Sequence, residues 1–224
     1  MSLKQLTLAK KYGQGHLRSL RHEDYFVSSS NQEIYENIIN RKWIGQSAII
    51  LGEEKTGKTH LARLWIKQFG ARDITKNIDP ANLLNGNCLI EDIERLCKKD
   101  ELESLLHCYN TAAESKNLLL LTTNDLDFAA KLPDLSSRIF STQTFKINPP
   151  DNDLLQIIIA KCFYARQVRV PVKTIEFITN NIERSIKSAI RFVEYIDEKA
   201  LEQRKKISIK LVKECIDSAF GTKV

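Results

Sequence analysis

The segment SAIILGEEKTGKTH, residues 47–60, constrains this chain more than any other feature. An apolar run enters a loop in which Gly52 and Gly57 are separated by four residues, and Lys58 and Thr59 follow at once. With a strand pattern before it and a helical pattern after it, this is the phosphate-loop arrangement. Successive backbone N–H groups must turn inward around phosphate oxygens, and side chains at the glycine positions would stand in the way. The anion then meets a helix N-terminus, where unpaired N–H groups and the helix dipole favour negative charge. Lys58 supplies a mobile cation, Thr59 a hydroxyl suited to magnesium, and His60 shares their helical turn. The loop therefore predicts a bound nucleotide with Mg2+. Glu53 and Glu54 within it are expected to point outward, because carboxylates facing phosphate would repel it.

Around this loop the hydrophobic pattern sorts the chain into two parts. SAIIL, NCLIEDI, NLLLLTTN and TQTFKIN read as short apolar strands, with helical periodicity over 59–69 and again in ELESLLHCYNTAAES. Short buried strands alternating with helices predict a parallel sheet covered on both faces, an α/β fold. Ser30 and Glu33 have capping-box spacing and predict a helix start ahead of the first strand. The character changes at NPPDND, where Pro149 and Pro150 stop one element and Asp151 is placed to cap the next. Everything after it is helical in pattern. The expected organisation is a flexible polar segment over 1–24, an α/β nucleotide-binding domain over 25–148 and a small all-α domain over 149–224.

Composition adds exclusions. A net charge of +6 from 34 basic and 28 acidic residues is mild and permits nucleic-acid contact without requiring it. No apolar run reaches the length of a membrane span, and the N-terminus lacks the apolar core of a secretory signal, so a cytoplasmic protein without membrane attachment is expected. Five cysteines with no C-x-x-C pair read as reduced thiols rather than a zinc site or disulfide framework.

Two further strand ends carry candidate chemistry. NCLIEDI places Glu91 and Asp92 where acids can hold magnesium and orient water. Thr122, Thr123 and Asn124 end the next strand with neutral hydrogen-bonding groups suited to polarising a water near a γ-phosphate.

Taken in order, the phosphate loop, the acidic strand end, TTN, the arginine in LPDLSSRI and a helical lid resemble an AAA+ ATPase. YFVSSSNQEIYENI, GKTHLARLW and CLIEDIERL resemble the DnaA-related group of that superfamily, and within it the regulators of the bacterial replication initiator DnaA. The resemblance covers nearly the whole chain. It implies that Gly52, Gly57, Lys58, Thr59 and His60 bind the phosphates of ATP or ADP, with Thr59 and Glu91 on Mg2+. It implies Asp92 as the acid that activates water and Asn124 as the first sensor. Arg138 becomes the arginine finger that reaches a neighbour's nucleotide, and Arg184 the sensor that brings lid charge onto the chain's own nucleotide. In the family an aspartate more often stands where Glu91 does, so the acid pair is inverted. A shift of one methylene in both metal and water positions predicts weak intrinsic hydrolysis.

The tail is read in the same way. Gln5, Leu6 and Leu8 in QLTL resemble the peptide by which such regulators dock on the DNA polymerase III sliding clamp, with leucines for an apolar groove and glutamine for its edge. No segment for a helix-turn-helix follows the last helical pattern, so sequence-specific DNA binding is not expected. The partners implied are the DnaA initiator, the clamp and a possible homo-oligomer. An alternative from another class stays open: a self-assembling AAA+ motor or loader that hydrolyses its own ATP and acts on single-stranded DNA.

Overall fold

The computed structural model describes residues 25–96 and 98–220. These divide into two compact units, residues 31–148 and a helical unit in which 25–30 join 149–220. Gln5, Leu6 and Leu8 lie outside the described residues.

The first unit runs α1 (Gln32–Ile39), β1 (Ser47–Leu51), α2 (Lys58–Phe69), β2 (Arg72–Asp73), α3 (Ala81–Leu84), β3 (Cys88–Ile90), α4 (Lys99–Ser115), β4 (Leu119–Thr123), α5 (Pro133–Ser141) and β5 (Gln143–Lys146). All strand pairings are parallel, in the order β2-β3-β4-β1-β5. β1 lies inside the sheet because Ala48, Ile49 and Ile50 are all fully buried, and only a strand covered on both faces can carry such a run. Its register sets Leu51 opposite Thr123 of β4 and Lys146 of β5, so the three strands end at one level.

Ile49, Ile90, Leu119 and Leu121 face a core completed by Leu102, Leu105, Cys108 and Tyr109 of α4 and by Leu135 and Ile139 of α5. Alternate residues point the other way. There α2 packs on β3 and β4 and buries Leu61 and Trp65 completely. The expected α/β architecture is thus observed, with β2, α3 and α5 as additions. β2 has only two residues, both exposed, and shows no apolar run to read. α1 begins at Gln32 with Asn31 as its N-cap and no capping bond from that side chain. The capping box expected at Ser30 does not form, since Ser30 Oγ is hydrogen-bonded to Ser28 Oγ at 2.9 Å.

The helical unit comprises α6 (Asn152–Ala165), α7 (Val172–Asn181), α8 (Ile186–Glu202) and α9 (Ile209–Phe220). Leu155, Ile159, Phe163, Ile178, Phe192, Val193, Ile196, Leu211 and Val212 form its core. Asp151 organises its start. Oδ1 accepts from Leu154 N at 2.8 Å, and Oδ2 accepts from Ser29 Oγ at 2.7 Å and Ser30 N at 3.0 Å. Those last two bonds explain why 25–30, expected with the α/β domain, group with the helices instead.

Burial alone pushes the Asp151 carboxyl up, but hydrogen bonds from Leu154, Ser29, Ser28 and Ser30 outweigh it and hold the group below its usual range. A depressed carboxyl contributes stability above its unfolded pKa, and that contribution is lost as pH falls through the folded value. Asp151→Ala is therefore expected to lower the unfolding free energy by about 1–2 kcal/mol at neutral pH. In urea titrations its deficit should shrink as the pH is lowered toward about 3; an undiminished deficit there would show that the carboxylate charge plays no part.

Candidate functional site

Where β1 ends, the chain packs tightly against itself. A Cβ on Gly52 would stand 2.9 Å from Thr56 Oγ1 and 3.3 Å from Ile147 Cβ, so no larger residue fits there. Gly57 has φ 102°, a left-handed conformation that costs an L side chain about 1–2 kcal/mol. The two glycines are required for different reasons, one by space and one by backbone angle. Between them Thr56 Oγ1 donates to Glu53 O at 2.8 Å and braces the loop internally. Glu53 and Glu54 are exposed, turned to solvent as expected.

Gly57 also caps α2, so the N–H groups of its first turn at Lys58, Thr59 and His60 lack partners within the helix. Lys58 is only 6% exposed, and its Nζ donates to Gly52 O at 2.7 Å and Glu53 O at 3.0 Å. No carboxylate pairs with it among the described residues. A buried ammonium held only by carbonyl dipoles is a site for an anion, because an unpaired buried charge is costly.

A matching anomaly lies immediately after β3. Glu91 Oε1 is buried with no hydrogen-bond partner. Burial pushes this carboxyl above the usual carboxylate range; Asp73 and Asp92 add to the rise, while the Thr59 hydroxyl and Arg63 oppose it. An oxygen-rich pair with one oxygen to spare suits a hard divalent cation such as Mg2+. The backbone N–H of Glu91 is fixed by Thr75 Oγ1 at 2.8 Å, a contact that no sequence pattern announces.

Asp92 is placed differently from its neighbour. It adopts φ 51°, its N–H donates to Thr122 Oγ1 at 3.0 Å, and its Oδ2 lies 3.2 Å from the guanidinium of Arg95. Here the structure corrects an expectation. Thr122 and Thr123 are fully buried and committed to the backbone, Thr122 to Asp92 N and Thr123 Oγ1 to Asp125 O at 2.5 Å. Both hydroxyl groups are thus engaged with backbone and shut away from solvent, unlike the expected water-facing pair. Asn124, the next residue, is exposed beyond the end of β4.

The first unit thus brings Gly52, Gly57, Lys58, Thr59, Glu91 and Asp92 to neighbouring carboxyl ends of parallel strands, the usual place for a ligand in such sheets. Arg138 lies elsewhere, exposed in the last turn of α5. Arg184 belongs to the helical unit, where its guanidinium donates to Asn152 Oδ1 at 2.8 Å beside the start of α6.

Comparison with solved structures follows this geometry. Domain III of the Thermotoga maritima replication initiation protein DnaA superimposes with a TM-score of 0.66 at 16% identity, covering 87% of this chain and 94% of that one. A replication initiator DnaA bound to AMPPCP and single-stranded DNA gives 0.57 at 19% identity over 81% of this chain and 67% of its own. The Thermotoga maritima RuvB Holliday junction branch migration motor gives 0.56 at 15% identity, with coverage of 84% and 69%. The fold is a DnaA-like AAA+ fold. No protein-family model matches the chain. An uncharacterized protein of Haemophilus influenzae is 22% identical over 189 residues, spanning 75% of this chain and 80% of that protein. No helix among the described residues is long and apolar enough to cross a membrane.

The raised carboxyl of Glu91 yields a test of the metal pair. A group whose folded pKa lies above its unfolded value of 4.5 favours folding fully below that value, and the benefit is lost as pH rises through the folded value. Glu91→Gln is therefore expected to raise the Tm of nucleotide-free, magnesium-free protein at neutral pH by on the order of a few degrees. The gain should vanish near about pH 4. With Mg2+ and nucleotide present the order should reverse; a variant less stable than the parent under both neutral conditions would show that the orphan oxygen serves the fold alone.

Proposed function

We propose that the chain binds ATP or ADP with Mg2+ at residues 52–60. The observation that carries this reading is the buried Lys58 ammonium, without a carboxylate counter-ion among the described residues, beneath a loop whose glycines leave room for phosphate. Thr59 and Glu91 are the residues that would hold Mg2+, which supplies charge neutralisation between phosphate oxygens when bound. His60 would contribute its backbone N–H from the same turn. The AMPPCP carried by a DnaA of the same fold agrees with this assignment.

For the role of the complex, the proposal is that of Hda, the regulator that inactivates DnaA. Arg138 would enter the nucleotide site of ATP-bound DnaA, where an arginine supplied in trans can speed phosphoryl transfer by roughly 10³–10⁵. Its exposure and lack of a carboxylate partner among the described residues leave it free for such a role. Arg184 would order the lid over the chain's own nucleotide, and Gln5, Leu6 and Leu8 would tether the chain to the sliding clamp, raising the local concentration of the pair. Asp92 would serve as the acid that orients water and Asn124 as the first sensor. The Asp92–Arg95 ion pair and the inverted acid order favour weak intrinsic turnover, so the chain would act chiefly on its partner's ATP.

The likeness to RuvB, a Holliday junction branch migration motor, supports the second reading of a self-assembling ATPase acting on DNA. The two separate in one set of experiments. Lys58→Ala is expected to abolish nucleotide binding in calorimetry, by at least about 100-fold in affinity. Arg138→Ala should retain nucleotide and clamp binding yet lose stimulation of DnaA-bound ATP hydrolysis, and Gln5→Ala with Leu8→Ala should lose the clamp alone. Full stimulation by Arg138→Ala would remove the trans arginine, and DNA-stimulated turnover of the chain's own ATP would establish the motor.

A further inference from the structure

One dense run of positive charge lies in a stretch that the nucleotide site does not use. Residues 199–213, KALEQRKKISIKLVK, contain six basic residues and one acid, a net +5 in a chain whose whole formal charge is +6. They form the end of α8, the turn after it and the start of α9.

The turn is a fixed platform. Gln203 N, Arg204 N and Lys205 N donate to the carbonyls of Lys199, Leu201 and Ala200 at 3.0, 3.1 and 3.0 Å. Arg204 adopts φ 51°, which reverses the chain, and Ile207 is buried in the helical core alongside Leu211 and Val212. The basic side chains are therefore displayed on ordered backbone.

Little of that charge is neutralised internally. Lys199 Nζ pairs with Glu202 at 2.6 Å, and Lys205 Nζ meets only the neutral Gln203 Oε1 at 2.8 Å. Arg204, Lys206, Lys210 and Lys213 are exposed and have no carboxylate partner among the described residues. Lys213 Nζ stands 5.7 Å from the centre of the Phe177 ring, which ties the end of the patch to α7. The acids bordering it are Asp197 and Glu198 ahead of Lys199 and Glu214 and Asp217 beyond Lys213.

We propose that the α8–α9 junction is a binding surface for the phosphate backbone of nucleic acid, engaged without reading base sequence. Lys210 and Lys213 lie one turn apart on α9, about 4.5 Å along its axis, so two long, flexible cations are presented together to neighbouring phosphates of a strand. A membrane surface fits less well. A helix lying in a bilayer interface needs a free apolar face, and α9 has already buried Leu211, Val212 and Cys215. Leu201 and Ile209 are then the exposed apolar side chains nearest the patch, too little for insertion.

The test uses the full chain and a short fluorescent duplex of mixed sequence, titrated by anisotropy at several salt concentrations. The parent should bind, with log K falling linearly against log salt. The triple variant Lys206→Gln, Lys210→Gln, Lys213→Gln should bind on the order of 10- to 100-fold more weakly, with a slope shallower by about 2–3. Its Tm and nucleotide affinity should stay at the parent's values, so failure of this surface is distinguishable from failure of the nucleotide reading. The corresponding triple arginine variant should retain binding and slope. No duplex binding by the parent at low salt overturns the proposal, as does unchanged affinity in the glutamine variant. Binding to phosphatidylserine vesicles with none to the duplex overturns it in favour of a membrane.

Discussion

The Lys58 ammonium is the interaction on which the rest of the first unit depends. Its two hydrogen bonds run back to Gly52 O and Glu53 O, so one side chain from the first turn of α2 fastens the beginning of the loop to its end. Burying that charge is tolerable only because the carbonyls point at it, and it stays electrostatically incomplete without an anion. The backbone conformation that aims those carbonyls is the one that demands glycine at 52 and 57. Fold and proposed function therefore rest on the same few atoms.

Parallel register does the positioning. Because Leu51 pairs with Thr123, and Ile90 with Leu121, the ends of β1, β3 and β4 come together without any long-range contact designed for the purpose. Gly52 N donates to Thr123 O at 3.1 Å, extending the β1–β4 ladder one step into the loop. Beyond the sheet, hydroxyls continue the work that strand pairing can no longer do. Thr75 and Thr122 hold the N–H groups of Glu91 and Asp92, so each acid is anchored through its backbone while its carboxylate answers to local charge.

Much of this was legible in the sequence because it is written in short-range pattern. The apolar runs of β1, β3 and β4 cannot be satisfied except in a covered sheet, and G-x-x-x-x-G-K-T states its own backbone requirement. The cap of α6 was legible too, since Asp151 follows two prolines that forbid the preceding element from continuing. The failures share a cause. β2 exists only because β3 offers it an edge, Thr75 matters only because the chain returns 16 residues later, and Ser30 was drawn from capping α1 by Ser28. In each case tertiary contact assigns a polar group whose local pattern permits several partners. The hydroxyls of Thr122 and Thr123 teach the same lesson from the other side. A polar strand end suggested chemistry, but their burial obliged them to satisfy backbone first.

The two acids after β3 show how one backbone corner separates two roles. Glu91 ends the strand in ordinary geometry, and its long side chain reaches the Thr59 hydroxyl in a desolvated setting that disfavours its charge. Asp92, one residue on, turns left-handed and starts the 3-10 turn Ile93–Arg95, which returns Arg95 to its own carboxylate. The Asp92 carboxylate already has a guanidinium against it, so orienting a water would compete with that contact. Glu91 has the reverse problem, a charge that its buried surroundings disfavour. On the reading proposed above, such a corner would hold a metal–nucleotide complex rather than consume it, with the longer acid held for the cation and the shorter one turned aside toward Arg95.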